Sequence, residues 1–194
     1  MIDKNLPNKL TMSRVIAIPI FIVLFMLSFR NIGSINIGTY SIDIFRFLAA
    51  LVFVLASITD YFDGKLARKY NLISNFGKLM DPLADKMLVV TALLLLTESR
   101  EVHFLCTLVV VLRELTISSI RLIALEKNVV IAASIWGKLK TASQMVALVM
   151  ILFNLHTINK LLYFITFTVF YISTAFVIIS LIDYIAKSKE LFIE

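Results

Sequence analysis

The amino-acid sequence predicts an all-α integral membrane protein. Of its 194 residues, 60% are hydrophobic and 16% are charged, and the mean hydropathy is +0.93. Water-soluble domains average about 45–50% apolar and about 25% charged residues. Because a helix needs about 20 apolar residues to cross a bilayer, this length accommodates several spans joined by short loops. We expect one domain, residues 1–194, with no separate soluble domain.

Apolar runs separated by polar breaks define the elements in order. Six transmembrane helices are predicted, at residues 15–29, 44–62, 79–97, 102–125, 139–156 and 161–186. Before the first helix, residues 6–11 mix apolar and basic side chains and are expected to lie along the membrane interface, with Thr11 as a helix N-cap. Residues 30–43, which contain several Gly and Ser residues, are predicted to form an external loop.

Lysine and arginine are distributed unevenly between the two predicted sides of the membrane. Fifteen of the 19 belong to the side of both termini and of the breaks after helices 2 and 4, counted with the helix ends that face it. Positive residues in short loops favour the cytoplasm, so this side is predicted to be cytoplasmic. The single cysteine, Cys106, excludes an intrachain disulfide and a cysteine-based zinc cluster.

Four aspartates flank the cytoplasmic break between predicted helices 2 and 3. Asp60 and Asp63 end one helix, and Asp81 and Asp85 begin the next. Residues three and four apart share a face of a helix, so all four converge if the two helices are antiparallel neighbours. Unpaired carboxylates at membrane depth are costly, and hard divalent cations with oxygen ligands offset that cost. We therefore expect two divalent metal ions, Mg²⁺ or Mn²⁺, to share the four aspartates.

Small and basic residues accompany the aspartates. Gly64 and Gly77 permit close approach of a ligand or of the facing helix, and Ala67 leaves room on the same face. Arg68 supplies a forked cation suited to a diphosphate. Tight helix packing in the membrane is the alternative explanation for the two glycines and the alanine.

The spacing Asp-x2-Asp-Gly-x2-Ala-Arg-x8-Gly-x3-Asp-x3-Asp, from Asp60 to Asp85, resembles the signature of the CDP-alcohol phosphotransferases at every fixed position. The resemblance implies six transmembrane helices around a polar cavity that opens to the cytoplasm. It further implies the role of each signature residue: metal ligands Asp60, Asp63 and Asp81; metal ligand and general base Asp85; CDP-binding residues Gly64, Ala67 and Arg68. Gly77 is included among the expected CDP-binding positions.

The acceptor site should contain further cations, because a glycerol phosphate carries about two negative charges. Helix 4 contains Arg113-Glu114 and, two turns later, Arg121, while Lys138 and Lys140 lie near the start of helix 5. The two lysines cannot both face one cavity from a regular helix, because two residues span more than half a turn. One of them is expected to extend to lipid head groups, and Glu114 is expected to neutralise an arginine.

These basic segments, together with an N-terminal segment, resemble the branch of the family that makes phosphatidylglycerol phosphate. The N-terminal positions are Asn8, Thr11 and Arg14, which are possible substrate-cavity residues. The resemblance implies that CDP-diacylglycerol and sn-glycerol 3-phosphate react to give phosphatidylglycerol phosphate and CMP. Phosphatidylglycerol, inositol phosphate and serine are the alternative acceptors, because related branches share the catalytic core.

A divalent-cation or proton-coupled transporter is the alternative from another functional class. The acidic residues gather at one cytoplasmic end, and helices 1 and 6 offer almost nothing beyond Asp183 to continue a permeation path. We therefore expect a multi-pass enzyme of the cytoplasmic membrane with its active site facing the cytoplasm. The expected partners are the two substrates, membrane lipids and a second copy of the chain, because related enzymes are dimers; no nucleic-acid partner is expected.

Overall fold

A computed structural model describes the backbone of residues 6–30, 33–37, 40–70, 75–127, 129 and 134–189. Within these ranges, the side chains at positions 6–11, 13–14, 34–37, 40–42, 60–70, 75–85 and 125 are not described.

Six α-helices account for most of the described backbone. They are α1 (Leu6–Ser28), α2 (Ile44–Tyr70), α3 (Asn75–Glu98), α4 (Phe104–Glu126), α5 (Ile135–Leu152) and α6 (Lys160–Lys187). A 3₁₀ helix, Leu155–Thr157, lies between α5 and α6. Two short strands, β1 (Ser34–Ile37) and β2 (Tyr40–Asp43), pair antiparallel with Ser34 opposite Asp43. The predicted number of helices is confirmed, and the external loop predicted for residues 30–43 is corrected to include a β-hairpin.

The chain divides into two compact units, Met1–Leu95 and Leu96–Glu194. In the first unit, α1 packs on α2 through a phenylalanine core. Phe21, Phe25 and Phe53 are fully buried, and the Phe21 ring centroid lies 6.0 Å from that of Phe25 and 5.9 Å from that of Phe53. Asp43 caps the start of α2, because its Oδ1 accepts a hydrogen bond of 2.9 Å from the Arg46 backbone N–H.

In the second unit, α6 packs against both α5 and α4. Its buried residues recur every three or four positions, which is the spacing of one helix face: Thr166, Phe170, Ser173, Val177, Ser180 and Tyr184. The buried face of α5 likewise contains Lys140 and Gln144 beside apolar residues. Small and polar side chains therefore share the interior of this unit with apolar ones.

Large apolar side chains cover the outside of the second unit. Phe164 is 70% exposed, Leu161 67% and Ile182 64%. So large an exposed apolar surface, over an interior that also contains charged and polar side chains, suits lipid rather than water as the surrounding medium. Within the described part of the chain, α5 and α6 are long and apolar enough to cross a membrane, and α1 and α2 contain shorter apolar stretches at Val15–Ser28 and Ile44–Thr59. A crossing by all six helices stays a prediction.

Five helix ends differ from the predicted bounds by four residues or more. Two of them are the starts of α3 and α5, which lie at Asn75 and Ile135 instead of 79 and 139. Helix α1 begins at Leu6, so Thr11 lies inside it and not at its N-cap, and no separate segment precedes it within the described residues. Helix α2 continues eight residues past the predicted end at 62, through Tyr70. Helix α5 ends at Leu152, before the 3₁₀ helix. Hydropathy detects the apolar part of a helix, whereas the backbone hydrogen bonds continue through polar residues.

Candidate functional site

The acidic signature lies on two helices of the first unit. Positions 60 and 63 belong to α2, and positions 81 and 85 belong to α3. A helical backbone places positions three or four apart on one side of the helix, so each helix carries its aspartate pair on a single side. The side chains of all four aspartates lie outside the described residues, so their convergence stays a prediction.

The other positions predicted to bind substrate in the first unit are also helical. Gly64, Ala67 and Arg68 lie on the last turns of α2, and Gly77 lies on the first turn of α3. Asn8, Thr11 and Arg14 lie on α1. The side chains at these positions, like those of the aspartates, lie outside the described part of the chain.

In the second unit, one carboxylate joins two of the predicted acceptor-site cations. Glu114 on α4 accepts hydrogen bonds at the same oxygen, Oε1, from Lys140 Nζ at 2.5 Å and from Arg113 Nη1 at 2.8 Å. All three side chains are at least 89% buried. The basic cluster, as we call Arg113, Glu114 and Lys140, therefore links α4 to α5 away from solvent.

The two candidate lysines of α5 have different surroundings. Lys140 is buried and contacts Glu114, whereas Lys138 is exposed. Two residues along a helix correspond to a rotation of about 200°, which accounts for this difference. Lys140 is thus the lysine that joins the basic cluster, and Lys138 lies on the outer side of α5.

Arg113 also contacts α6 and the start of α5. Its Nε donates a hydrogen bond of 3.1 Å to Ser180 Oγ. Its Nη2 lies beside Gly137, where an added methyl group would be 3.6 Å away. The guanidinium is therefore held in a defined plane by partners on both of its other nitrogens.

Arg121 contacts a different residue of α6 from the one that Arg113 contacts. It is exposed, and its Nε is 3.4 Å from the Tyr184 hydroxyl oxygen, with the guanidinium carbon 5.8 Å from the ring centroid. Tyr184 is buried against Ile117, Ile120 and Ala124 of α4. Arg113 and Arg121 thus contact positions 180 and 184 of α6, which are one turn apart.

The basic cluster carries a surplus of positive charge. Arg113 and Lys140 each contribute one cation and Glu114 one anion, and the two cationic nitrogens share a single oxygen. Two like charges about 5 Å apart repel by about 3 kcal/mol at an effective dielectric constant of about 20. Glu114 offsets this repulsion and leaves one net positive charge. Such a surplus among buried hydrogen-bond donors can bind an anion.

A family model for CDP-alcohol phosphatidyltransferases matches residues 4–182. The match includes the acidic signature and the basic cluster. The chain belongs to the CDP-alcohol phosphatidyltransferase family.

Relatives that share one name, CDP-diacylglycerol–glycerol-3-phosphate 3-phosphatidyltransferase, are similar over most of the chain. A Bacillus subtilis relative is 36% identical over 188 residues, which cover 96% of each protein. A Mycoplasma pneumoniae relative is 38% identical and covers 92% of this chain and 85% of its own length. A Rickettsia prowazekii relative is 44% identical over 147 residues, covering 76% of this chain and 74% of its own. These relatives do not favour the transporter alternative.

The CDP-alcohol phosphatidyltransferase signature supplies a donor set that fits divalent metal ions. Its four aspartates offer only carboxylate oxygens, which are the ligands that Mg²⁺ and Mn²⁺ prefer. Among the residues whose side chains are described, no group of three or more His, Cys, Asp or Glu could hold a metal ion. The acidic signature, which lies outside those residues, thus remains the candidate metal site of this family member.

Two residues of the candidate site were not found from the sequence, Ser180 and Tyr184. No residue of helix 6 was predicted to belong to the acceptor site, yet this helix supplies the hydroxyl groups that contact Arg113 and Arg121. A usable signal was present: small or hydroxyl-bearing residues recur at helical spacing in an otherwise apolar segment. That periodicity indicates the buried face of α6 in this phosphatidyltransferase.

Proposed function

We propose that this protein transfers the phosphatidyl group of CDP-diacylglycerol to sn-glycerol 3-phosphate, giving phosphatidylglycerol phosphate and CMP. The observation that carries the proposal is full-length similarity to relatives named for this reaction, with 96% coverage of both chains in one case. The buried basic cluster supports it, because it provides surplus positive charge for an acceptor that brings its own phosphate.

Asp60, Asp63, Asp81 and Asp85 would hold two divalent ions, Mg²⁺ or Mn²⁺. When bound, such ions neutralise charge on the diphosphate and on the departing CMP. Arg68 is proposed to bind the diphosphate through its forked donors, with Gly64, Ala67 and Gly77 leaving room for the CDP moiety. These assignments rest on the residue types and spacing of the signature.

The reaction is proposed to be a direct displacement at phosphorus. The acceptor hydroxyl oxygen attacks the phosphorus that bears the diacylglycerol, the bond from that phosphorus to CMP breaks, and CMP leaves with the bonding electrons. Asp85 takes the hydroxyl proton on its carboxylate as the new P–O bond forms. Correct placement of the base beside the reacting hydroxyl accounts for most of its contribution.

The acceptor phosphate is proposed to bind Arg113 and Lys140. Both side chains are buried and already linked by Glu114, so little side-chain freedom is lost when an anion binds. Lys138, which is exposed, is assigned to lipid head groups. Arg121 is assigned to the edge of the acceptor region, where it contacts Tyr184.

We further propose a single domain, residues 1–194, that crosses the cytoplasmic membrane six times and acts as a homodimer, with its active site open to the cytoplasm. The exposed apolar side chains of the described helices support a membrane location. The excess of lysine and arginine on one predicted side supports the orientation.

The proposal is tested with purified protein in detergent, CDP-diacylglycerol and either Mg²⁺ or Mn²⁺. We expect CMP release that requires glycerol 3-phosphate, stops when the metal is chelated, and does not occur with phosphatidylglycerol, inositol phosphate or serine. Asp85→Asn should lower kcat by about 10²–10⁴-fold, the usual contribution of a general base. CMP release with another acceptor would refute the proposed substrate, and near-normal turnover of Asp85→Asn would refute the assignment of the base.

A further inference from the structure

We propose that Glu114 is a positioning residue for the acceptor phosphate. It acts through Arg113 and Lys140, whose cationic groups it holds at a fixed spacing. The inference rests on the proposed function, because it requires those two cations to bind that phosphate. Glu114 itself need not touch the substrate. Its role is to fix where the two cationic groups lie before the acceptor arrives.

Glu114 joins the two cations through a single oxygen atom. Arg113 Nη1 and Lys140 Nζ bind the same Glu114 oxygen, at 2.8 Å and 2.5 Å. The distance between these nitrogens therefore cannot exceed the two contacts laid end to end. Free ammonium and guanidinium groups repel and would separate, so the shared oxygen sets a spacing that the cations would not adopt alone.

Glu114 also connects two helices, α4 and α5. Arg113 and Glu114 are adjacent on α4, and adjacent helix positions point about 100° apart. Glu114 nevertheless contacts the Arg113 guanidinium while also reaching Lys140 on α5, 26 residues away. Glu114 is thus the residue through which the arginine of one helix and the lysine of another acquire a fixed relation.

The Arg113 guanidinium has three nitrogens, and their surroundings differ. Ser180 binds Arg113 Nε and Glu114 binds Nη1, while Nη2 lies beside Gly137. Within the described side chains, no hydrogen bond to Nη2 is found. Because Gly137 has no side chain, no side chain of its own covers Nη2, and the two other contacts set the direction in which this nitrogen donates.

A carboxylate beside an anion site has two opposite effects. It lowers the positive charge, so charge alone predicts that removing it tightens phosphate binding. It also holds the two cations together, so the positioning role predicts that removing it weakens binding. The sign of the change in KM for glycerol 3-phosphate therefore separates the two effects.

The experiment compares Glu114→Gln and Glu114→Asp with wild-type protein, in detergent with CDP-diacylglycerol. We expect Glu114→Gln to raise KM for glycerol 3-phosphate about tenfold or more, because a charge-assisted hydrogen bond to each cation is weakened. KM for CDP-diacylglycerol should stay within about twofold. Glu114→Asp keeps the charge but is shorter by one methylene, so it should raise the same KM by a smaller factor. Glu126→Gln, the same change at the exposed end of α4, is the matched control.

Several outcomes would overturn the inference. An unchanged or lower KM for glycerol 3-phosphate in Glu114→Gln would refute the positioning role, and a lower KM would show that the carboxylate acts through its charge. Wild-type behaviour of Glu114→Asp would refute the positioning role equally, and this variant decides the matter if Glu114→Gln does not fold. An equal rise in KM for both substrates would indicate general structural damage and would also refute it. Failure of wild-type protein to use glycerol 3-phosphate would instead refute the proposed function.

Discussion

Two largely buried carboxylates among the described residues of the second unit contact basic side chains, and the two contacts differ in kind. Glu114 lies between two permanent cations, at 2.5 Å from Lys140 and 2.8 Å from Arg113. Glu101, in the connection between α3 and α4, lies 3.7 Å from His156 Nε2, a group that is cationic only when protonated. Both pairs are largely buried, so burial alone does not distinguish them.

Charge balance and connectivity do distinguish them. The basic cluster keeps one net positive charge and joins α4, α5 and α6 through Glu114, Lys140 and Ser180. The Glu101–His156 pair by itself carries no surplus positive charge, and the histidine ring packs against aromatic rings, with centroids 5.6 Å from Phe167 and 6.5 Å from Tyr163. Surplus positive charge, and not burial, is therefore the feature that favours an anion site at the basic cluster.

The largest effect on activity is expected when Lys140, a buried cation of the basic cluster, is replaced. Lys140→Met removes a buried cation from the proposed phosphate site, and hydrogen bonds to charged groups contribute about 1.5–3 kcal/mol. We expect kcat/KM for glycerol 3-phosphate to fall by about 10- to 100-fold in steady-state measurements of CMP release. Lys138→Met, the same change two residues away at an exposed position, should lower it less than about twofold. Equal losses would contradict the assignment of the buried lysine.

A smaller effect is expected for the second pair. Glu101→Gln keeps the shape and one oxygen of the side chain, and the 3.7 Å contact is longer than a hydrogen bond, so we expect the free energy of unfolding to fall by about 1 kcal/mol or less. Thermal unfolding in detergent measures this change. The Michaelis constants for both substrates should remain within about twofold of wild type. A selective rise in KM for glycerol 3-phosphate would place this pair in the substrate site and remove the distinction between the two carboxylates.

The presence of each helix could be predicted from the sequence more accurately than the residues at which it begins and ends. Helix α4 was expected at 102–125 and lies at Phe104–Glu126, because mostly apolar residues extend over its length and polar residues flank it. Helices α1 and α2 extend through polar residues that hydropathy excludes, since helical hydrogen bonds do not require apolar side chains. The hairpin was missed because Gly and Ser at 33–41 indicate a loop, although such residues also connect short strands.

The acidic signature and the basic cluster differ in how far the sequence alone predicts them. The acidic signature is local: its spacing within two helices can be read directly, and the helical backbone at those positions agrees with it. The basic cluster is not local, because Arg113 and its α6 partner Ser180 are 67 residues apart. Helical periodicity showed that Lys138 and Lys140 face different directions. Choosing between them required the rotation of α5 against α4, which depends on packing rather than on spacing.

The smallest effect is expected at Tyr184, where the question is whether Arg121 belongs with the basic cluster. Its Nε is 3.4 Å from the tyrosine hydroxyl, a long hydrogen bond, and the guanidinium also lies near the ring face. Tyr184→Phe removes the hydroxyl and keeps the ring, so we expect a loss of about 0.5 kcal/mol in unfolding free energy and a change in KM for glycerol 3-phosphate below about twofold. Tyr184→Leu removes the ring as well and should destabilise more, because the ring packs against α4. If Tyr184→Phe instead raised that KM as much as Lys140→Met does, the hydroxyl would have to orient Arg121 toward the acceptor, and the anion site would extend one turn further along α6.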